Sequence, residues 1–343
     1  MKRSAIILFI LGCGAETPLP EANDMSFLIP LASDMALGAT SEGGHGVVLP
    51  REVFDMLEAP TRVDEPDDLY ANLKVVGVRL DPCFTEGAAP MACSPQVRLV
   101  FQPVFDDGAG ATTRDATIHA FYPMPLSEVA ELAEELRALR AQSGGAPAVG
   151  VVADPVQASL LVLARVGAER LTRVTFIAVH ASDEAWTLGG FDLLDGVATR
   201  IEVPGADELE EQHMTSTGGT TGLSATILPE PEVETDVTAY LDAERRPSVS
   251  AEERASAIFA FERLLDPAEH NPGTVDCASC HVATTGLRFA TRESAPERVS
   301  AAYDDTRNQR MFGWFGATQS ISPRVLAETQ IALETLRAGL LPD

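Results

Sequence analysis

Two cysteines and a histidine near the C-terminus have the residue types and spacing that could attach a haem group. They occur in the run Cys277-Ala278-Ser279-Cys280-His281. Two thiols three positions apart on one helical turn can form thioethers to the two vinyl groups on one porphyrin edge, and the histidine that follows can bind the iron. We therefore expect one covalent haem c, held by Cys277 and Cys280, with His281 as the proximal iron ligand.

Two other kinds of site use a pair of cysteines at this spacing. A thioredoxin-like redox pair belongs in a strand-helix-strand context, whereas this run lies between predicted helices. A structural zinc site normally needs four ligands, but only His270 lies nearby and no cysteine follows Cys280. The sequence therefore favours haem attachment over both alternatives.

The segment from Ser250 to the C-terminus resembles a class I cytochrome c domain. It contains a predicted first helix, the attachment motif, a methionine and a predicted closing helix, and it covers about a quarter of the chain. The resemblance implies an all-helical haem domain with a methionine thioether as sixth iron ligand, shortly before the last helix. Met311 is the only methionine after His281. The interval between these two residues is shorter than the family commonly has.

The sixth iron ligand therefore has alternatives. Met311 is the first candidate, although it could instead be an apolar core residue beside Phe312. His270 is the competing candidate, and imidazoles on both sides of the iron would lower its potential relative to histidine-methionine ligation. With neither ligand, the iron would have an open position for peroxide or a diatomic gas. Three further side chains could meet the haem propionates or lie on the surface: Arg288, Arg310 and Trp314.

The N-terminus has the pattern of a bacterial export signal. Lys2 and Arg3 precede a short apolar run, residues 5–11, which cannot span a bilayer. The four residues ending at Cys13 resemble the lipobox of bacterial lipoproteins, in which the cysteine is lipidated and begins the mature chain. This resemblance implies an exported outer-membrane lipoprotein that touches the membrane only through its lipid anchor. Ordinary secretion is the alternative.

The remaining two cysteines, Cys83 and Cys93, flank a loop between two strand patterns. The ends of such a hairpin can lie within bridging distance, and exported proteins reach an oxidising compartment. We expect a disulfide here. Two separate buried thiols are the alternative.

The 343-residue chain is too long for one small core, and its patterns divide it. After the signal at residues 1–13, an acidic arm rich in proline and glycine is expected over 14–68. Residues 69–205 alternate like strands, as at Ile118, Ala120 and Tyr122, and also contain two helical patterns. They predict an α+β domain with a mostly antiparallel sheet.

Short local signals add detail to this division. One of the two helical patterns has Val129 and Leu132 on its apolar face, and the pair Asp195-Gly196 predicts the turn of a hairpin. A linker is expected over 206–248 and an all-helical, cytochrome c-like domain over 249–343. The capping box of Ser250 and Glu253 predicts the start of its first helix.

Composition limits the functional classes. A formal net charge of −26 disfavours binding to nucleic acid. In the 69–205 domain, His119 and His180 are single histidines that we interpret as structural, and no catalytic constellation is evident.

The leading hypothesis is a monohaem electron carrier with a redox partner protein in the cell envelope. The alternatives are a haem enzyme, such as a peroxidase, and a surface binding protein whose haem is structural or senses a gas.

Overall fold

The structure is a computed structural model, and the residues that it describes are 19–31, 37–57, 66–85, 93–106, 108–114, 116–179, 185–203, 209–217, 220–223, 246–291, 303 and 308–340. Cys13, the predicted lipidation site, and His180, predicted to be a structural histidine, lie outside them.

Eight α-helices occur in the described part of the chain: α1 (Ala22–Met25), α2 (Arg51–Phe54), α3 (Pro66–Asn72), α4 (Leu126–Ser143), α5 (Pro155–Leu163), α6 (Ala251–Leu265), α7 (Cys277–Thr291) and α8 (Pro323–Leu340). The strands are β1 (Ser26–Leu28), β2 (Glu42–Gly43), β3 (Gly46–Val47), β4 (Leu73–Thr85), β5 (Cys93–Asp106), β6 (Ala111–Thr113), β7 (Ala116–Pro123), β8 (Gly150–Val151), β9 (Arg173–Val179), β10 (Ala185–Leu194), β11 (Val197–Arg200), β12 (Glu211–Thr217), β13 (Thr220–Leu223), β14 (Phe312–Phe315) and β15 (Thr318–Ile321).

A mixed sheet, which contains eleven strands of the described residues, organises the fold. Its order is β13-β12-β10-β9-β7-β5-β4-β1-β8, with β11 paired to β10 and β6 to β5. The β1–β8 pair is parallel, and the other pairs in the sheet are antiparallel. The predicted antiparallel strands at the centre of this sheet are therefore confirmed.

The two faces of the sheet have different coverings, because successive side chains of a strand point to opposite sides. On β7, the apolar series Ile118, Ala120 and Tyr122 enters the main hydrophobic core. Helix α4 covers that face with its buried stripe, which contains Val129 and Leu132 as predicted. The alternate residues of β7 point to the other face, which the C-terminal part of the chain covers.

Local sequence signals account for the ends of several elements. Asp195 and Gly196 have φ angles of 51° and 78°, so the tight turn between β10 and β11 has the left-handed geometry expected of an Asp-Gly pair. The Ser250 hydroxyl accepts a hydrogen bond from the Glu253 amide, and the Glu253 carboxylate accepts one from the Ser250 amide. Both the hairpin and the capping box were predicted from sequence and are confirmed.

The predicted fold class is wrong for the C-terminal region, which is not an all-helical cytochrome c-like domain. It contains the hairpin β14–β15, and Phe312 packs in a cluster with Val76 and Val100 of the large sheet. Leu333 and Leu336 of α8 belong to the main core. An apolar helical stripe shows that one face is buried but not which element covers it, so α8 could be read as the closing helix of a separate bundle.

Two segments that were predicted to lie outside the α+β domain also contribute to the sheet. Phe27 of β1, within the expected arm, is fully buried. Strand β12, within the expected linker, pairs with β10 from Ala185↔Thr215 to Gly189↔Glu211. These short strands lack the long alternation that reveals β4, β5 and β7 in the sequence.

Helices α6 and α7 pack closely at Gly286, where a Cβ atom would overlap the Phe261 ring. We expect Gly286→Ala to lower the free energy of unfolding by about 1–3 kcal/mol, the usual cost of overpacking a core. Urea denaturation measures this effect. Gly339→Ala, at an exposed position near the end of α8, is the matched control, because the nearest atom to its Cβ would lie 4.0 Å away. Equal stability of Gly286→Ala and wild type would contradict the close packing.

Candidate functional site

A cleft of about 950 Å³, including its solvent-open mouth, lies between the large sheet and the C-terminal part of the chain. One wall is the sheet face that α4 does not cover, and it includes Thr117, His119 and Phe121 of β7. The other wall consists of the start of α7, the segment around Met311 and part of α8. We call this space the sheet cavity.

The attachment motif opens α7 and lines the sheet cavity with Cys277, Cys280 and His281. Buried polar side chains fix this helix start. The Asp276 carboxylate accepts hydrogen bonds from the Ser279 amide at 2.9 Å and from the Gln212 side chain at 2.7 Å. The Gln212 side-chain oxygen accepts one from the Ala278 amide at 2.8 Å. Since Gln212 belongs to β12, the sheet holds the motif in place.

The His281 imidazole has the arrangement of a metal-binding histidine. Its Nδ1 lies 2.6 Å from the Gln309 carbonyl oxygen, so Nδ1 carries the proton and donates to it. Nε2 then keeps its lone pair, and it has no hydrogen-bond partner among the described residues. Burial lowers the pKa of His281 below its ordinary value, although the Gln309 hydrogen bond opposes this change. The neutral ring is the form that binds iron.

The two motif cysteines are free thiols in the structure. Burial, with a smaller contribution from the nearby Asp276 carboxylate, raises the pKa of Cys277 to about 12. Burial also raises the pKa of Cys280. A thioredoxin-like pair needs a nucleophilic cysteine with a lowered pKa. The electrostatics of this cavity therefore oppose the redox-pair alternative.

The two predicted candidates for the sixth iron ligand lie in different places. Met311 lines the sheet cavity, and its Sδ is 3.8 Å from the Cys280 sulfur. The Met311 carbonyl accepts a hydrogen bond from the Ser322 amide, which anchors this residue in the same wall as the motif. His270 is outside the residues that line the cavity. Its carbonyl accepts a hydrogen bond from Arg324 at 2.7 Å.

His119, which the sequence suggested was merely structural, lines the sheet cavity from the central strand β7. Its ring has no hydrogen-bond partner in the described part of the chain. Burial lowers the pKa of His119 well below its ordinary value, and the charges of Arg98 and His281 lower it further. The two imidazoles are thus close enough to influence one another. A polar residue within an alternating strand was the available signal, but it could not show what faced it.

Three buried arginines, Arg79, Arg98 and Arg324, also line the cavity. The Glu328 carboxylate bridges two of them, with one oxygen 2.6 Å from Arg79 Nη1 and the other 2.8 Å from Arg324 Nε. Arg98 donates two hydrogen bonds to Asp81, at 2.8 and 3.2 Å. We call these five residues the arginine cluster. Its three guanidinium groups exceed its two carboxylates by one positive charge.

The arginine cluster was not predicted from sequence. Its clue is that Arg79 and Arg98 interrupt the apolar alternation of two adjacent strands and are paired across them. Arg79 Nε is buried without a hydrogen-bond partner among the described residues. The three residues that the sequence suggested for propionate contacts do not line the cavity. Arg310, for instance, lies over the rings of Trp186 and Phe315.

The disulfide expected between Cys83 and Cys93 is present, with 4.7 Å between the two Cα atoms. It joins the end of β4 to the start of β5, close to Phe84, which lines the sheet cavity. The bridge therefore holds together the two strands that carry Arg79 and Arg98.

The residues around the sheet cavity fit a covalent haem in their chemistry. Two thiols and one imidazole stand on a single helix end, and the neighbouring walls are largely apolar, with Phe121, Leu188 and Val325 among them. The excess positive charge of the arginine cluster suits the two propionate groups at the polar edge of a haem.

Among the described residues, no group of three or more histidine, cysteine, aspartate or glutamate side chains is placed to hold a metal ion by itself. The helices of this part of the chain include none with the length and apolar character needed to cross a membrane.

Comparison of the chain with protein-family models, with curated proteins and with solved structures gives no match.

Proposed function

We propose that this protein is a monohaem c-type cytochrome that transfers single electrons in the bacterial cell envelope. One observation carries the proposal: Cys277, Cys280 and His281 line one cavity, and the Gln309 carbonyl fixes the His281 ring through Nδ1. A hydrogen bond of this kind orients a metal-binding histidine and selects the nitrogen that binds the metal.

Each residue of the motif then has a defined role. Cys277 and Cys280 would form the two thioethers, and His281 Nε2 would bind the iron as proximal ligand. When bound, haem c supplies a one-electron couple between ferrous and ferric iron. The buried Asp276 and Gln212 keep the start of α7 against the sheet, so the attachment residues stay in place while the charge of the site changes.

The arginine cluster would hold the propionates. Arg79 has a buried Nε without a partner among the described residues, and Arg98 and Arg324 lie beside it in the cavity wall. Guanidinium groups bind carboxylates through charge-assisted hydrogen bonds, which are stronger than neutral ones. The apolar side chains of the other walls would exclude water from the haem and would help to set its reduction potential.

The cellular location is part of the proposal. Residues 2–13 have the export and lipobox pattern, and Cys13 would carry the lipid that tethers the protein to the outer membrane. The disulfide between Cys83 and Cys93 supports an oxidising compartment outside the cytoplasm. The partner would be another redox protein of the envelope, and the membrane would be touched only through the anchor.

Expression with a periplasmic haem-maturation system tests this function. We expect one covalent haem per chain by pyridine haemochrome assay and a reversible redox titration with a one-electron slope. We also expect little carbon monoxide binding by the reduced protein, because an electron carrier keeps both axial positions filled. A colourless protein, or pigment that acidified acetone extracts, would contradict the proposal. Prompt carbon monoxide binding would instead favour a haem enzyme or a gas sensor.

A further inference from the structure

We propose that His119, on the central strand β7 of the large sheet, is the sixth iron ligand of this haem site, opposite His281. This inference rests on the proposed function, and it assigns the sixth position to a residue about 160 positions away from the attachment motif. The sheet would then be half of the haem site and not a separate module.

His119 lies on a strand of the sheet that has a partner strand on each side. It is paired with Val100 of β5 on one side and with Thr175 of β9 on the other. Its neighbours Ile118 and Ala120 enter the main core, so the His119 side chain points to the opposite face, where it lines the sheet cavity. A strand with partners on both sides is a rigid support, which suits a metal ligand.

Met311 and His119 line the sheet cavity from different walls. A residue that supplied the sixth ligand would have to approach the iron from a wall other than the one that carries His281. The His281 ring is held by the Gln309 carbonyl, and Met311 lies only two residues further along that segment. The Met311 sulfur also contacts the Cys280 sulfur at 3.8 Å. Met311 therefore belongs to the wall that carries the proximal ligand, whereas His119 belongs to the facing wall.

The His119 ring also has room for a ligand bond, because it makes no hydrogen bond to the described residues. The His119 side chain is only partly buried at the cavity wall, so a hydrogen-bond partner for its ring could come from the protein or from a group bound in the cavity. His119 has none among the described residues, although it faces the same cavity as the attachment motif. Coordination to iron would give one ring nitrogen a partner and would account for an imidazole on the cavity face of β7.

Electron paramagnetic resonance of the ferric holoprotein tests the inference. We expect wild type to be low-spin with the signature of two imidazole ligands and without the far-red charge-transfer band of a thioether ligand. His119→Ala should lose the low-spin signal, become high-spin and bind carbon monoxide when reduced. Added imidazole should restore the low-spin signal of this variant. His119→Met, which keeps a ligand, should remain low-spin with a higher potential.

Met311→Leu and His270→Ala are the matched controls, and both should keep the wild-type spectrum. If Met311→Leu or His270→Ala becomes high-spin while His119→Ala stays low-spin, the inference is overturned. A high-spin wild type that binds carbon monoxide would also overturn it. In both cases a covalent haem by pyridine haemochrome assay would leave the proposed haem site standing. Absence of covalent haem from wild type would overturn the function and this inference together.

Discussion

Replacing both Cys277 and Cys280 with serine is expected to abolish covalent haem attachment, from one haem per chain to none detectable. The hydroxyl groups of serine do not form the thioether bonds that join a c-type haem to its protein. The pyridine haemochrome assay after extraction with acidified acetone measures the loss. Both residues lie at the start of α7 on the cavity wall, where serine is similar in size to cysteine.

The other cysteine pair provides the control. Cys83 and Cys93 form a disulfide ten residues apart in the sequence, and serine at both positions removes the bridge without touching the attachment motif. That variant should keep its covalent haem and should unfold at a lower denaturant concentration. Retention of acid-resistant pigment by the Cys277 and Cys280 variant would contradict the assigned attachment site.

Among single substitutions in the arginine cluster, Glu328→Gln is expected to cause a large loss in the free energy of unfolding. The Glu328 carboxylate bridges Arg79 and Arg324, both of which are almost fully buried. Removal of one partner from a buried ionic group leaves the other charges uncompensated, which costs about 3–5 kcal/mol. Urea denaturation at neutral pH measures this change in the free energy of unfolding.

The ionisation of Glu328 should also make the stability of the protein depend on pH. Burial would raise the pKa of Glu328, but the charges of Arg79, Arg324 and Arg98 outweigh this effect and lower it to about 2. A depressed native pKa contributes stability that is complete above the ordinary value of 4.5 and is lost as the pH falls toward 2. The wild-type protein should therefore lose about 3 kcal/mol over this interval that Glu328→Gln does not lose.

Glu334→Gln is the matched control on the same helix. Glu334 is exposed and accepts a hydrogen bond from Gln330. A surface substitution of this kind changes the free energy of unfolding by about 0.5 kcal/mol or less. If Glu328→Gln and Glu334→Gln were equally stable, the arginine cluster would not be held together as described.

The sequence predicted the elements whose signals are local. Alternation at Ile118, Ala120 and Tyr122 identified β7, and the Asp195-Gly196 pair identified the turn of the β10–β11 hairpin. The capping box at Ser250 marked the start of α6, and the spacing of Cys83 and Cys93 predicted their disulfide. Each of these features depends on residues within a few positions of one another, so short-range geometry was sufficient.

The resemblance to a cytochrome c domain misled the fold prediction because it used a sparse motif and a helical pattern. The periodicity of α8 was read correctly, but its apolar face packs against the large sheet. Trp314 and Gln102 illustrate the cause: their hydrogen bonds of 2.7 and 2.9 Å join residues more than 200 positions apart. No local pattern contains such a contact.

By itself, the sequence determined the spacing of Cys277, Cys280 and His281, the helices α6 and α8, and the disulfide, since each follows from spacing along the chain. Only the tertiary structure decided that the sheet and the C-terminal segment enclose one cavity, and that His119, Arg79 and Arg98 of the sheet line it together with the motif and with Arg324 and Glu328 of α8. The physical reason is that a strand shows its alternation in sequence, whereas the partner of its second face is chosen by packing between distant segments.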